Sequence, residues 1–153
     1  MLVKEKVDQA IGILQEYGVD CWITFVRESG MMRDPMMDYL CPADMTWHSA
    51  FIITRSGDTH AIVGQMEKQT VEELGVWGRV TGYVEGIKED LQGFLTTTNP
   101  ESIAVNYSRN SEVCDGLTHG KFLVPEEILS EIGFQDRLTS SEKITSSLKA
   151  RKT

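Results

Sequence analysis

Apolar residues near the start of the chain recur at helical spacing. Val3, Val7, Ala10, Ile11, Leu14 and Tyr17 share one face, and Gly18 can close the segment in the left-handed conformation, so the pattern predicts a first helix. "CWITFV", Cys21 to Val26, is a continuous apolar run of strand length and predicts a buried strand. From Arg27 to Trp47 every period breaks. "RESGMMRDPMMDYLCPADMTW" contains Gly30, Pro35 and Pro42 and reads as a long connection with a short helix around Met36 to Leu40. Connections longer than about 12–15 residues usually carry function or lack order.

"SAFIITRSGDTHAIVG" predicts a β-hairpin, two β-rich arms around the polar tip Arg55 to Asp58. "QMEKQTVEELG" reads as a helix closed by Gly75, and "WGRVTGYV" alternates as a strand does. Ile87, Leu91, Phe94 and Leu95 lie along one helical face, which Asn99-Pro100 ends. "SIAVNY" reads as a short buried strand. "VPEEILSEIG" predicts a helix with Pro125 at its first position, acids in the first turn and Gly133 at its close. "FQDRL" is a short strand or extended link. Thr139 with Glu142 three residues on has the form of a capping box, opening a last helix that carries Ile144 and Leu148. Strands alternating with helices give an α/β fold, and a hairpin among helix-linked strands makes its sheet mixed.

The chain has 153 residues, enough for one domain with a real core, and its 41% hydrophobic and 25% charged residues are an ordinary globular balance. No apolar run reaches the ~20 residues that span a bilayer, and "MLVKEKVDQ" has no apolar leader segment. Neither a membrane span nor a secretory signal is expected. The net charge of −8 repels nucleic acid and anionic lipid, and "LKARKT" reads as a solvated helix end, so no nucleic-acid or membrane partner is expected. Cys21, Cys41 and Cys114 form no CxxC pattern and read as reduced thiols of a cytoplasmic protein, Cys21 within the core.

The chemistry-bearing residues are sparse. His48, His60 and His119 are widely separated, with no HExxH, CxxC or EF-hand pattern, so no metal site is expected within the chain. No GxSxG, GxxxxGK[ST] or GxGxxG is present. "CDGLTHG", Cys114 to Gly120, offers a thiol and an imidazole, but their spacing does not align them on one helical face. The structural reading is preferred: Asp115 as a helix cap, flanked by turn glycines. No residue is assigned as catalytic. The long connection is the better candidate. It holds Arg27, Glu28, Arg33, Asp34, Asp38 and Asp44 beside Met31, Met32, Met36, Met37 and Trp47, an adaptable apolar surface edged with charge. Trp47 and His48 stand where it enters the hairpin.

"WHSAFIITRSGDTHAIVG", "VTGYVEGIKEDL", "SIAVNYS" and "DGLTHG", in this order and spacing, together resemble the N-terminal domain of the creatinase, prolidase and aminopeptidase P family, the pita-bread metallopeptidases. The resemblance covers essentially the whole chain. "SSEKITSSLKARKT" looks like the helix and linker leading into that family's catalytic half, with Leu148, Lys149 and Lys152 resembling its basic junction.

The resemblance implies an N-terminal domain over residues 1–139, then a C-terminal helix and the start of a linker, 140–153, to an absent catalytic domain. It implies a mixed sheet flanked by helices with ribonuclease H-like topology and no ribonuclease activity. No cofactor is then expected in this chain; two divalent ions, manganese, cobalt or zinc, would sit in the catalytic domain of a cytoplasmic Xaa-Pro dipeptidase or aminopeptidase. The implied partners are that catalytic domain, a second copy of the chain and, through the parent, a peptide substrate. The implied role is dimerisation and shielding of the active site. Arg27, Asp34, Trp47 and His48 are the candidates to reach the substrate pocket, chosen by their place on or beside the long connection, with Arg27 suited to a two-point carboxylate contact. From the residues alone, a free-standing α/β domain binding a small molecule stands as the alternative.

Overall fold

β1 (Cys21–Val26) is buried at every position, so both of its faces must be covered. In the computed structural model, which describes residues 2–153, it lies inside a six-stranded sheet. The other strands are β2 (Ser49–Thr54), β3 (Thr59–Gly64), β4 (Arg79–Tyr83), β5 (Ile103–Val105) and β6 (Leu138–Ser140). Their order is β4-β3-β2-β1-β5-β6. β2 runs antiparallel to β1 and β3, and the remaining neighbours pair in parallel. A mixed sheet in this order, with one reversed strand, has the expected ribonuclease H-like topology.

The helices are α1 (Leu2–Tyr17), α2 (Met37–Leu40), α3 (Lys68–Glu73), α4 (Lys88–Thr98), α5 (His119–Ser130) and α6 (Glu142–Ala150). The two-residue period of the strands divides the core. Trp22, Val26, Phe51 and Ile53 pack with side chains of α1, α2, α3 and α6. Cys21, Ile23, Phe25, Ala50 and Ile52 pack on the opposite face with those of α4 and α5. The hairpin turns where expected: Gly57 adopts φ 101°, and Thr54 N–H donates to Asp58 O at 2.9 Å.

Several expectations need correction. Tyr17 is 47% exposed, and Ile13 takes its place in the buried stripe of α1. α5 begins at His119, not at Pro125, which lies inside the helix. Thr118 caps it, its Oγ1 accepting Lys121 N–H at 3.3 Å, so Asp115 is not the cap; Asp115 instead accepts Ser108 N–H at 3.1 Å. Thr139 does not cap α6 because it is in β6, paired with Ala104. The N-terminal position of α6 is Ser141, whose hydroxyl turns away to Asn106 Oδ1 at 2.5 Å. At Thr139 and Ser141 a tertiary partner displaces the local capping motif, whereas at α5 a second local cap, Thr118, starts the helix earlier.

α6 is fastened to α1. Ile144 and Leu148 are buried in the α1-side core. Lys6, 3% exposed, donates to Leu148 O at 2.6 Å and to Arg151 O at 2.7 Å, placing a cation at the negative end of α6. Replacing Lys6→Met strands both carbonyls and should lower the unfolding free energy by about 1–3 kcal/mol in urea titrations at neutral pH.

A buried histidine adds a pH dependence. His60, 4% exposed, is pushed from 6.5 down to about 4, first by burial and then by Arg79, with Asp90 opposing. The unfolded chain therefore binds a proton that the folded one refuses, and stability falls as pH drops from 6.5 toward about 4. Urea midpoints across that window should fall less steeply in His60→Gln.

Candidate functional site

The register of one strand pair assembles the site. Val26 pairs with Ser49 in the β1–β2 ladder, so the next residue outward on each strand, Arg27 and His48, emerges at the same end of the sheet. The long connection is clasped above that end. Glu28 N–H donates to Thr46 O at 3.0 Å and Ser29 N–H to Met45 O at 2.8 Å, prolonging the ladder beyond both strands. Glu28 takes a left-handed φ of 46° to start the excursion. Arg33 pairs with Asp38 at 2.9 Å and Asp44 at 3.2 Å across the loop.

Arg27, Trp47 and His48 line one shallow concavity of about 400 Å³, together with Tyr83 and Ile87. Trp47 stacks obliquely on Tyr83, ring centroids 5.9 Å apart, and lies against Gly64, where a Cβ would fall 2.6 Å from its Cε3. Tyr83 Oη donates to His48 O at 2.6 Å. Burial, then the charge of Glu67, pushes the Tyr83 hydroxyl up to about 12. His48 packs on Phe25 at 5.6 Å, and its Nε2 is buried without a partner. Burial and then the neighbouring Arg27 hold its pKa below the ordinary histidine value, so the imidazole is neutral at pH 7. Arg27 is exposed and makes no ion pair among the described residues. The concavity thus offers a guanidinium without an ion pair, a neutral imidazole and an aromatic wall, with the carboxylates of Glu28 and Glu85 also in its lining. Arg27 can take a carboxylate beside the apolar wall, against the repulsion of those two glutamates; the lining holds no nucleophile–base pair.

Asp34 does not line this concavity. It is fully buried, its Oδ1 accepting Met36 N–H at 2.9 Å and its Oδ2 accepting Asn106 Nδ2 at 3.0 Å. Burial raises its pKa despite those bonds. Gly116 of "CDGLTHG" packs against it so closely that a Cβ there would sit 2.0 Å from Asp34 Oδ2. Lys121, 3% exposed, has its Nζ buried without a hydrogen-bond partner; burial lowers its pKa, and the Asp34 charge opposes that shift. Sequence reasoning missed Asn106, Lys121 and Tyr83. Asn106 carried a signal, a polar residue at the end of the apolar run "SIAV". Lys121 and Tyr83 carried none that distinguishes them from surface residues of their elements.

The methionine-rich stretch separates into two populations. Met36 and Met37 are core, at 1% and 0% exposure, while Met31 and Met32 project at 86% and 63%. The cysteine–histidine reading loses its geometry. Cys114 is buried, its thiol accepting Ser111 Oγ at 3.3 Å and donating to Glu142 O at 3.8 Å, whereas His119 is exposed. Cys41 is also buried, and burial pushes its thiol up to about 11, so it is not an activated nucleophile. No group of three His, Cys, Asp or Glu side chains converges among the described residues, so these residues do not furnish a ligand set for the metal ions of the resemblance. No helix among them is long and apolar enough to cross a membrane.

No family model matches the sequence, and no match was found among curated proteins. Solved structures do match. The N-terminal domain of an X-Pro dipeptidase from Streptococcus pyogenes superposes with a TM-score of 0.66 at 16% identity, over 94% of this chain and 98% of that one. The aminopeptidase P structure from Streptococcus thermophilus gives 0.67 at 12% identity, over 97% and 99%. The fold is that of a creatinase/prolidase N-terminal domain. Against the prolidase from Pyrococcus horikoshii the TM-score is 0.65 at 15% identity, and the chain spans only 36% of that protein's length. In this domain, "DGLTHG" supplies the glycine that seats a buried carboxylate. Gly116→Ala should therefore destabilise the fold by about 1–3 kcal/mol through overpacking, seen as a lowered urea midpoint, while Gly57→Ala at the open hairpin tip serves as a control for backbone strain alone.

Proposed function

We propose that this chain is the non-catalytic N-terminal domain of a metal-dependent hydrolase of the Xaa-Pro dipeptidase and aminopeptidase kind, and that it dimerises and shields the active site. The observation that carries the reading is the convergence of Arg27, Trp47 and His48 at one end of a fold shared with such domains. Exposed Met31, Met32, Met66 and Val84 lie on the connections leaving β1, β3 and β4 at that same end, a surface suited to covering by protein. The catalytic half, with its two divalent ions, lies outside these residues in this reading, and the setting is cytoplasmic.

Each predicted pocket residue then has a distinct task. Arg27 takes the carboxylate of a peptide held in the active site of the second copy. Trp47 and His48 wall that pocket, one by apolar area and the other by a neutral ring nitrogen. Asp34 serves from behind, anchoring the connection on which they depend. The bond-breaking step belongs to the metal-bearing half; this chain's residues bind, orient and exclude water.

The test uses the domain joined to its catalytic half. Arg27→Ala should raise KM for an Xaa-Pro dipeptide about tenfold or more with a smaller change in kcat, the mark of lost binding rather than lost chemistry. Sedimentation should give a dimer. An unchanged KM in a confirmed dimer defeats the role of Arg27, and a monomer with full activity defeats the shielding role.

A further inference from the structure

At the end of the sheet away from Trp47, a cleft of about 680 Å³ opens between the beginnings of β3 and β4 and one side of α4. Pockets of this volume hold small molecules. His60, Thr81 and Phe94 contribute its lining. His60 Nε2 lies 2.7 Å from Thr81 Oγ1, and its ring meets Phe94 edge-on at 5.3 Å. His60 Nδ1 is buried and has no partner, an unused hydrogen-bonding atom in a side chain only 4% exposed.

The charged lining is of both signs. Arg79 comes from β4, Asp58 from the hairpin turn, and Glu89 and Asp90 from the first turn of α4. None of the four makes an ion pair among the described residues. One guanidinium and three carboxylates thus surround the space, Asp58 Oδ2 also accepting Ser56 Oγ at 3.4 Å.

The helix wall points the same way. Asp90, Gly93 and Thr97 share one side of α4 by their spacing, and all line the cleft. Gly93 is a poor helix former in a helix interior, and no atom lies within 4 Å of the place its Cβ would occupy. Packing does not require a glycine there. Its effect is to leave the cleft open beside Phe94.

We propose that this cleft binds a small zwitterion, a free α-amino acid with an apolar side chain. Arg79 takes the carboxylate, Asp90 and Glu89 take the ammonium, and the side chain lies against Phe94 in the space beside Gly93. A simple anion would meet three carboxylates as well as the chain's net charge of −8. A simple amine would leave Arg79 unpaired, and an uncharged apolar molecule would leave all four charges facing it. A zwitterion answers both signs at once. The inference does not rest on the peptidase reading, because the cleft and the Arg27 concavity lie at opposite ends of the sheet.

The experiment is a titration of the purified, isotopically labelled chain with L-leucine, L-methionine, L-phenylalanine and L-proline, followed by amide and imidazole NMR shifts. The expected result is saturable movement of His60, Thr81 and Gly93 signals with at least one of the four. For leucine, 4-methylpentanoate lacks the ammonium and 3-methylbutylamine lacks the carboxylate; the corresponding analogues of whichever amino acid binds should do so about tenfold or more weaker. Gly93→Leu, which fills open space on a surface helix, should abolish the shifts while keeping the wild-type thermal midpoint. Arg79→Ala, at an exposed position, should weaken binding to a similar extent as removing the ligand carboxylate, and it carries the test if Gly93→Leu does not fold. No saturable shift with any of the four amino acids overturns the proposal. So does binding that survives both substitutions, or analogues that bind as tightly as the amino acid.

Discussion

The side-chain amide of Asn106 is buried where β5 ends, and its four hydrogen bonds tie the long connection and the start of α6 to strands already paired in the sheet. Its Oδ1 accepts Trp22 Nε1 at 2.7 Å and Ser141 Oγ at 2.5 Å; its Nδ2 donates to Thr24 Oγ1 at 3.1 Å and to Asp34 Oδ2 at 3.0 Å. Strand β1, the long connection, β5 and the start of α6 are thereby locked around one group. Both lone-pair directions and both amide hydrogens are used, so the junction costs little in desolvation when complete and a great deal when any member is missing. Asp34 is the most exposed to that penalty. It is a fully buried carboxylate whose solvation is replaced by one amide, one backbone N–H and the distant charge of Lys121.

This junction reaches the surface through the connection it holds. Asp34 fixes the middle of the excursion between β1 and β2, and the ladder extension at Glu28 and Ser29 fixes its base. Arg27 and His48 are left facing outward from adjacent strands, with Trp47 laid across Gly64. The rigidity of the concavity is therefore borrowed from a polar core beneath it, while its exposed methionines remain free to adapt to whatever covers them. The opposite end of the sheet is built otherwise. There the hairpin turn and the first turn of α4 gather unpaired charge around a half-open cleft, with a buried neutral histidine among its lining residues.

Local patterns gave away the elements because each is written in a single period. The apolar stripe of α1, the unbroken apolar run of β1 and the Ser-Gly tip of the β2–β3 hairpin need no partner to be recognised. Where two local signals compete, or a local signal competes with a tertiary partner, the reading slips. Pro125 looks like a helix start, yet Thr118 begins α5 earlier because its hydroxyl takes the Lys121 N–H. Thr139 looks like a cap, yet β5 claims it as a strand residue.

Sequence alone therefore determined the mixed α/β class, the order of most elements and the segment that carries Arg27, Trp47 and His48, since all of these follow from periodicity and from what a loop cannot bury. The tertiary structure decided which side chains meet. It put Asp34 in the interior and Arg27 at the surface, although both carry charge in the same connection, and it divided one run of methionines between core and solvent. The physical reason is that burial of a polar group depends on partners distant in the chain: Asn106 for Asp34, and the helix end of α6 for Lys6. No periodicity within a segment records those partners.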